Sequence, residues 1–170
     1  MLFRSHATRD PGFAGVEREP NDQVGDATTM PFGAEVRGRV GRRLDPQRGD
    51  RDFFSVEVPE TGGAERALAR VRLTLSSLPN FPLCALVFRR GFADALGTYC
   101  PGRAGRDLAI DALGLEPGSY FFGVVQDRDG YGATAQPVHE NVSDDYVLRV
   151  TRSDADGGDR KSTRLNSSHR

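Results

Sequence analysis

The chain has 170 residues but no tryptophan, a single lysine and only two cysteines. No apolar run in it approaches the roughly 20 residues that a membrane-spanning helix requires. Residues 6–158 contain 18 arginines against 23 acidic residues, a net charge of −5, and so lack the basic surface that is typical of nucleic-acid-binding proteins. These absences argue against a membrane span and against a nucleic-acid partner.

The single lysine, Lys161, lies in a segment that differs in composition from the rest of the chain. That segment, DRKSTRLNSSH, reads as a translated sequencing adapter, and LFRS at residues 2–5 matches the partner adapter. We therefore expect residues 1–5 and 159–170 to be foreign to the natural protein, which is expected to be a fragment of a longer one. Residues 6–16 and 154–158 are then linkers, and residues 17–153 form one domain.

The two cysteines are Cys84 and Cys100. An even number permits a disulfide without showing one, because free cysteines also pack as small hydrophobic side chains. Neither their spacing nor their neighbours indicate a zinc knuckle. A bridge is the favoured interpretation if the domain is exported, since disulfides persist in oxidising compartments.

Short segments of alternating polarity predict an all-β fold. In RVRLTLS, for example, Val71, Leu73 and Leu75 lie on one face, as expected of a half-buried strand. LCALVF is instead a continuous apolar run, as expected of a strand buried between two layers. At least seven strand segments separated by turns predict a β-sandwich or jelly roll. They are EVRGRV, DFFSVEV, RVRLTLS, LCALVF, LAIDAL, YFFGVV and YVLRV.

The turn LEPGSY precedes one of these strands. Pro117 followed by Gly118 is typical of a type II turn, because proline presets φ and glycine accepts a positive φ. Tyr120 then opens the strand, in the arrangement of a tyrosine corner. We interpret Tyr120 as a structural residue.

A long loop lies between Val125 and Tyr146 and contains Asp127, Asp129, His139 and Glu140. Its length predicts a functional or mobile segment, and its composition favours a solvated acidic loop. The alternative is a hydrolase in which these four residues form an acid/base group. However, the chain has no nucleophile elbow and no zinc-binding helix motif.

The segment VEREPND, residues 16–22, crowds oxygen-bearing side chains into a stretch that precedes any predicted strand. Alternate side chains of an extended chain lie on one side, so Glu17, Glu19 and Asn21 converge, and a bend at Pro20 brings in Asp22. Calcium prefers about six to eight oxygen ligands, whereas the absence of His and Cys argues against zinc or copper. The pattern permits a calcium site, but its spacing alone favours a charged linker that ends in an Asx turn.

Further ligands would have to come from elsewhere in the fold. The segment GDRDFF supplies Asp50 and Asp52 at the start of a predicted strand, and Asp45 is a reserve candidate. Together with the acidic segment, these residues give six candidate ligands for a structural calcium site: Glu17, Glu19, Asn21, Asp22, Asp50 and Asp52.

Several motifs, in order, resemble the bacterial pre-peptidase C-terminal (PPC) domain, including the collagen-binding domains of secreted bacterial collagenases. They are EREPNDQVGDAT, VRGRV, GDRDFFSVEV, LEPGSYFFGVV and DYVLRV, and they span residues 17–151. The resemblance implies a jelly-roll-type antiparallel β-sandwich of about seven to nine strands. It also implies that Glu17, Glu19, Asn21 and Asp22 hold calcium. Phe53 stands where the family often has tryptophan.

The resemblance further implies a non-catalytic accessory domain of a secreted bacterial protein, often a peptidase, with the catalytic domain in cis. Such domains are thought to bind extracellular protein or polysaccharide polymers, or to assist secretion. A carbohydrate-binding or adhesive module is the alternative. Candidate contact residues are Tyr99, Tyr131, Phe53 and Phe81, each of which is equally compatible with simple packing.

Overall fold

The protein, seen in a computed structural model, is described over residues 12–40, 43–45, 48–61, 68–127 and 139–153. In these ranges it has eleven strands and one short 3-10 helix, and no helix is long or apolar enough to cross a membrane. The helix is Val24–Asp26. The strands are β1 (Thr28–Thr29), β2 (Glu35–Gly38), β3 (Arg43–Asp45), β4 (Arg48–Gly49), β5 (Arg51–Val58), β6 (Ala69–Leu75), β7 (Leu83–Arg89), β8 (Gly97–Tyr99), β9 (Leu108–Leu115), β10 (Gly118–Gln126) and β11 (Tyr146–Arg152).

Nine of these strands form two sheets. Sheet I has the order β1-β5-β10-β7-β8, and sheet II has the order β2-β11-β6-β9, while β3 and β4 form a separate ribbon. All pairs within the two sheets are antiparallel except β1 with β5. Without the short β1, the eight remaining strands have the order of a jelly roll, in which two Greek keys wrap around one core. The predicted jelly-roll-type β-sandwich is confirmed.

The core lies between the two sheets and is built by alternation along each strand. Val71, Leu73 and Leu75 are almost fully buried, as predicted, and their neighbours Arg70 and Arg72 face solvent. The last strand repeats the pattern with Tyr146, Leu148 and Val150, and β5 of sheet I does so with Phe54, Val56 and Val58. Each buried aliphatic side chain of this kind contributes roughly 1.5–3 kcal/mol to folding.

Two aromatic residues predicted as contact candidates are packed instead. Phe53 points away from the core on the outer face of sheet I, but it is only 7% exposed. The Phe88 ring lies 6.2 Å from the Phe53 ring, and the absence of a side chain at Gly123 leaves room for Phe53 to lie flat on the sheet. Phe81 is fully buried in the core, so neither residue is a surface contact.

The turn LEPGSY connects β9 of sheet II to β10 of sheet I, and therefore forms an arch between the sheets rather than a hairpin within one. Gly118 has φ +139°, a conformation that favours glycine. The Tyr120 hydroxyl donates to the backbone carbonyl oxygen of Glu116 at 2.8 Å. This is the predicted tyrosine corner, and it holds the arch closed.

Replacing Tyr120 by Phe should lower the free energy of unfolding by about 0.5–1.5 kcal/mol, because the part-buried hydrogen bond from the Tyr120 hydroxyl to the Glu116 carbonyl oxygen is lost. Chemical denaturation of the two proteins measures this difference. An unchanged midpoint would show that the corner contributes no stability.

The Cys84 and Cys100 side chains form a disulfide. Ala85 of β7 lies opposite Tyr99 of β8, so the two cysteines are the next cross-strand neighbours at the end of this pair. The bridge thus fastens the edge strand β8 to sheet I.

The acidic segment, residues 16–22, crosses from one sheet to the other at the open edge of the sandwich. Val16 pairs with Arg37 of β2, at the edge of sheet II, and the Phe53 N–H donates to the Asn21 carbonyl oxygen at 2.9 Å. The chain then enters β1, which extends sheet I beside β5. The acidic segment is therefore held against the fold at both of its ends.

Candidate metal centre

Three of the predicted ligands meet at this edge. Ligating oxygens of Glu17, Glu19 and Asp52 all lie within 4.8 Å of one another. Glu17 and Glu19 come from the acidic segment and Asp52 from β5, so the cluster joins the incoming chain to sheet I.

Glu17 is fixed by β2. Its N–H donates to the Arg37 carbonyl oxygen at 2.8 Å, and its Oε1 accepts from the Arg39 N–H at 2.7 Å. Gly38 lies between these two residues, and a methyl group there would overlap both the Tyr146 ring and the Glu17 carboxylate. The close approach of Glu17 and Tyr146 therefore requires glycine at position 38.

Asp52 is fully buried. Its Oδ2 accepts from the Tyr146 hydroxyl at 2.5 Å, and that hydroxyl lies 3.3 Å from Oε2 of Glu17. Its Oδ1 is buried with no hydrogen-bond partner among the described residues. Burial, reinforced by the charge of Glu17, raises the pKa of Asp52 to about 10.

Asn21 is also fully buried, and its Oδ1 likewise has no partner among the described residues. Its Nδ2 lies 3.5 Å from Oγ1 of Thr28. Thr28 in turn accepts from the Arg18 N–H at 3.0 Å and donates to the Arg18 carbonyl oxygen at 3.2 Å. Thr28 thus fixes the turn from which Asn21 is presented.

Glu19 is the most exposed of the three clustered side chains, and Asp22 and Asp50 line the same cavity. Glu19 is exposed, and its Oε2 accepts from the Asn21 N–H at 3.1 Å. Asp50 is 8% exposed and accepts from the Arg51 N–H at 3.1 Å, while Oδ1 of Asp22 is buried without a partner among the described residues. Glu17, Glu19, Asp22 and Asp50 line one cavity of about 580 Å³.

Asp45, the reserve candidate, lies in β3 and does not belong to the carboxylate cluster or to the lining of this cavity. The structure therefore places the six predicted ligands at one edge of the sandwich and leaves Asp45 outside the group.

The electrostatics of the cluster favour a cation. Burial raises the pKa of Glu17 as well, although the hydrogen bond from the Arg39 N–H opposes this shift. Mutual repulsion and desolvation therefore disfavour the ionised form of the empty cluster, and a divalent cation would offset both. Every donor is an oxygen, which suits a hard cation, and six protein side chains are more than the one or two carboxylates by which Mg²⁺ is usually bound. The donor set fits calcium.

The long loop does not present the hypothesised acid/base group in its described part. His139 stacks on Phe81 with ring centroids 6.3 Å apart, and Asp127 is buried beside the disulfide sulfurs. The Glu140 carbonyl oxygen accepts from Nδ2 of Asn80 at 3.1 Å. Asp129 and Tyr131 lie outside the described residues, and Tyr99 is half-buried against the core.

Sequence reasoning missed the residues that orient the ligands. Tyr146 is predicted only as a core position of the last strand, and nothing in the sequence marks Thr28 or Gly38. The one available signal is that Tyr146, a residue with a polar hydroxyl, occupies the first buried position of a strand that directly follows Asp144 and Asp145.

No protein-family model matches the chain, and no curated protein matches it. Among solved structures, it is similar to the crystal structure of the pre-peptidase C-terminal domain of collagenase from Bacillus anthracis. The two sequences are 12% identical, and the match covers 79% of this chain and 99% of that one, with a TM-score of 0.49. At this identity, the similarity assigns no role to individual residues.

Proposed function

We propose that this domain is a non-catalytic, calcium-stabilised accessory domain of an exported protein. One observation carries the calcium assignment: Asn21 and Asp52 are both fully buried, and each keeps one oxygen without a partner in the described structure. An unsatisfied buried polar atom costs about 1–3 kcal/mol, and more if it is charged. A cation bound by both oxygens would remove this cost.

The proposed ligands divide between two parts of the chain. Four of them, Glu17, Glu19, Asn21 and Asp22, belong to the acidic segment, whereas Asp50 directly precedes β5 and Asp52 is the second residue of that strand. Calcium bound to both groups would clamp the incoming chain against sheet I. By linkage, a cation at a thousand times its Kd would stabilise the folded protein by about 4 kcal/mol.

The disulfide supports the assignment to an exported protein, because such bridges persist in oxidising compartments. The match of the acidic segment to the pattern of collagen-binding PPC domains supports an accessory role beside a catalytic domain in cis. Binding of an extracellular protein or polysaccharide polymer is part of the same proposal.

The calcium assignment is tested by thermal unfolding with calcium and with a chelator. We expect calcium, but not magnesium, to raise the Tm, and the Glu19→Ala variant to bind calcium at least about tenfold more weakly, a loss of roughly 1.4 kcal/mol. Because Glu19 is exposed, its truncation should leave the fold intact. Glu60→Ala, at an exposed position after β5, is the matched control and should respond like the original protein. An equal calcium response in Glu19→Ala would refute the site.

A further inference from the structure

A second cluster of metal-ligating side chains lies apart from the carboxylate cluster, at the Cys84–Cys100 disulfide. The two sulfur atoms and a carboxylate oxygen of Asp127 all lie within 4.8 Å of one another. Asp127 is 5% exposed and Cys84 is 3% exposed, whereas Cys100 is open to solvent. Two sulfurs and one carboxylate thus meet at the protein surface with one side accessible.

The strand register explains this meeting. Cys84 lies opposite Val125 of β10, so the side chains of these two residues are on the same face of sheet I. Alternate residues of a strand share a face, and Asp127, two residues after Val125, therefore lies on this face as well. The Asp127 N–H donates to the Pro82 carbonyl oxygen at 2.9 Å, which continues the pairing of β10 with the chain before β7. The backbone therefore holds Asp127 beside the sulfurs.

The chemistry of this group changes when the bridge opens. A disulfide offers a nearby carboxylate no proton and only weak acceptor sulfurs. Two thiolates and a carboxylate, in contrast, are three ligands of the kind that zinc binds, with a fourth position left for water. Thiolates select soft or borderline cations over calcium, so the two clusters would bind different metals.

We propose that reduction of the Cys84–Cys100 bridge creates a metal site in which both thiolates and the Asp127 carboxylate bind a thiophilic divalent cation such as Zn²⁺. With a phosphine reductant, the phosphine supplies two electrons and takes oxygen from water to become its oxide. The water protons go to the two sulfurs, and the S–S bond is broken. Zn²⁺ then displaces both thiol protons and forms two Zn–S bonds and one Zn–O bond. The disulfide and the metal site exclude each other, because they use the same sulfurs.

Cobalt substitution tests this proposal, since Co²⁺ bound by thiolates has an intense near-ultraviolet charge-transfer band and tetrahedral visible bands. The full chain is reduced with a phosphine, freed of reductant under anaerobic conditions in calcium-containing buffer, and titrated with Co²⁺ and then with Zn²⁺. We expect one equivalent of Co²⁺ to bind with these bands and to be displaced by Zn²⁺. The oxidised protein should show neither band.

Asp127→Asn separates this site from a bare dithiol. Loss of an outer-shell partner alone weakens metal affinity by about 10–100-fold, so the loss of a ligand should cost at least about tenfold in the reduced protein. Asp111→Asn, at an exposed position of β9, is the control and should bind Co²⁺ like the original protein.

No thiolate–cobalt band in the reduced protein, or equal Co²⁺ affinity in Asp127→Asn, would overturn the proposal. If reduction unfolds the chain, Co²⁺ would bind through the thiols alone. Circular dichroism would then show the loss of strand structure, and Asp127→Asn would bind Co²⁺ as tightly as the original protein. The calcium proposal is unaffected by either result.

Discussion

Replacing Asp52 by Asn should abolish the calcium-dependent rise in Tm and, in the presence of a chelator, make the protein more stable than the original. Without a cation, the buried Asp52 must stay protonated, because its pKa is raised to about 10. The unfolded chain releases that proton near pH 4, so at pH 7 the folded state is disfavoured by an amount on the order of 4 kcal/mol. Asparagine has nearly the same shape as aspartic acid but does not titrate, so the substitution removes this pH-dependent destabilisation.

Asparagine at position 52 would also satisfy its neighbours in the metal-free protein. Its carbonyl oxygen can accept from the Tyr146 hydroxyl, as Oδ2 of Asp52 does at 2.5 Å, and its amide can donate to the carboxylate of Glu17. The calcium-bound state, in contrast, would lose a charged ligand. The effect of the substitution should therefore have opposite signs with chelator and with calcium.

Chemical denaturation in calcium and in chelator measures the change in stability that Asp52→Asn causes in each condition. Asp111→Asn removes an exposed carboxylate that pairs with Arg72 at 3.2 Å and serves as the control, which should change stability little in either condition. If Asp52 were only a structural hydrogen-bond acceptor, Asp52→Asn would shift both conditions equally. Such a parallel shift would contradict the calcium site.

The sheets of this fold could be predicted from the sequence because their pattern is local. Alternation along RVRLTLS and YVLRV is visible residue by residue, and the structure follows it. The ribbon of β3 and β4 was missed because its strands are only three and two residues long. LEPGSY was recognised as a turn, but its sequence cannot reveal that the flanking strands belong to different sheets.

The burial of Phe53 could not be predicted for a related reason. Alternation correctly places it on the outer face of β5, but its cover comes from Phe88 of β7, and the room for it comes from Gly123 of β10. No local pattern encodes a contact between strands that are distant in the chain.

The candidate site divides in the same way. Spacing within the acidic segment predicts that Glu17, Glu19 and Asn21 converge, because an extended chain sets that geometry locally. Tyr146 lies 129 residues from Glu17 and reaches it only through the pairing of β11 with β2. The ligands could therefore be proposed from the sequence, whereas the group that orients Asp52 required the fold.

The metal-free protein should lose stability as the pH rises from about 4 toward 10. Asp52 has a folded-state pKa of about 10, far above its value in the unfolded chain, so the unfolded state loses the proton first and unfolding becomes easier with rising pH. A single such proton gives a slope of about 1.4 kcal/mol per pH unit. The pKa of Glu17 is raised too and acts in the same direction. Glu19, Asp50 and the Tyr146 hydroxyl are the other groups near Asp52.

Calcium should remove or reverse this slope, because a bound divalent cation keeps the Asp52 carboxylate ionised in the folded state. Calcium binding at pH 7 should then release about one proton, which calorimetry in buffers of different ionisation enthalpy measures. Asp52→Asn isolates the contribution of this residue, since every other carboxylate is kept. In the presence of chelator, the pH dependence of the free energy of unfolding should differ between the two proteins by the equivalent of about one proton. Equal slopes would mean that Asp52 is already ionised without calcium, and the buried carboxylate would then need a partner other than the ion.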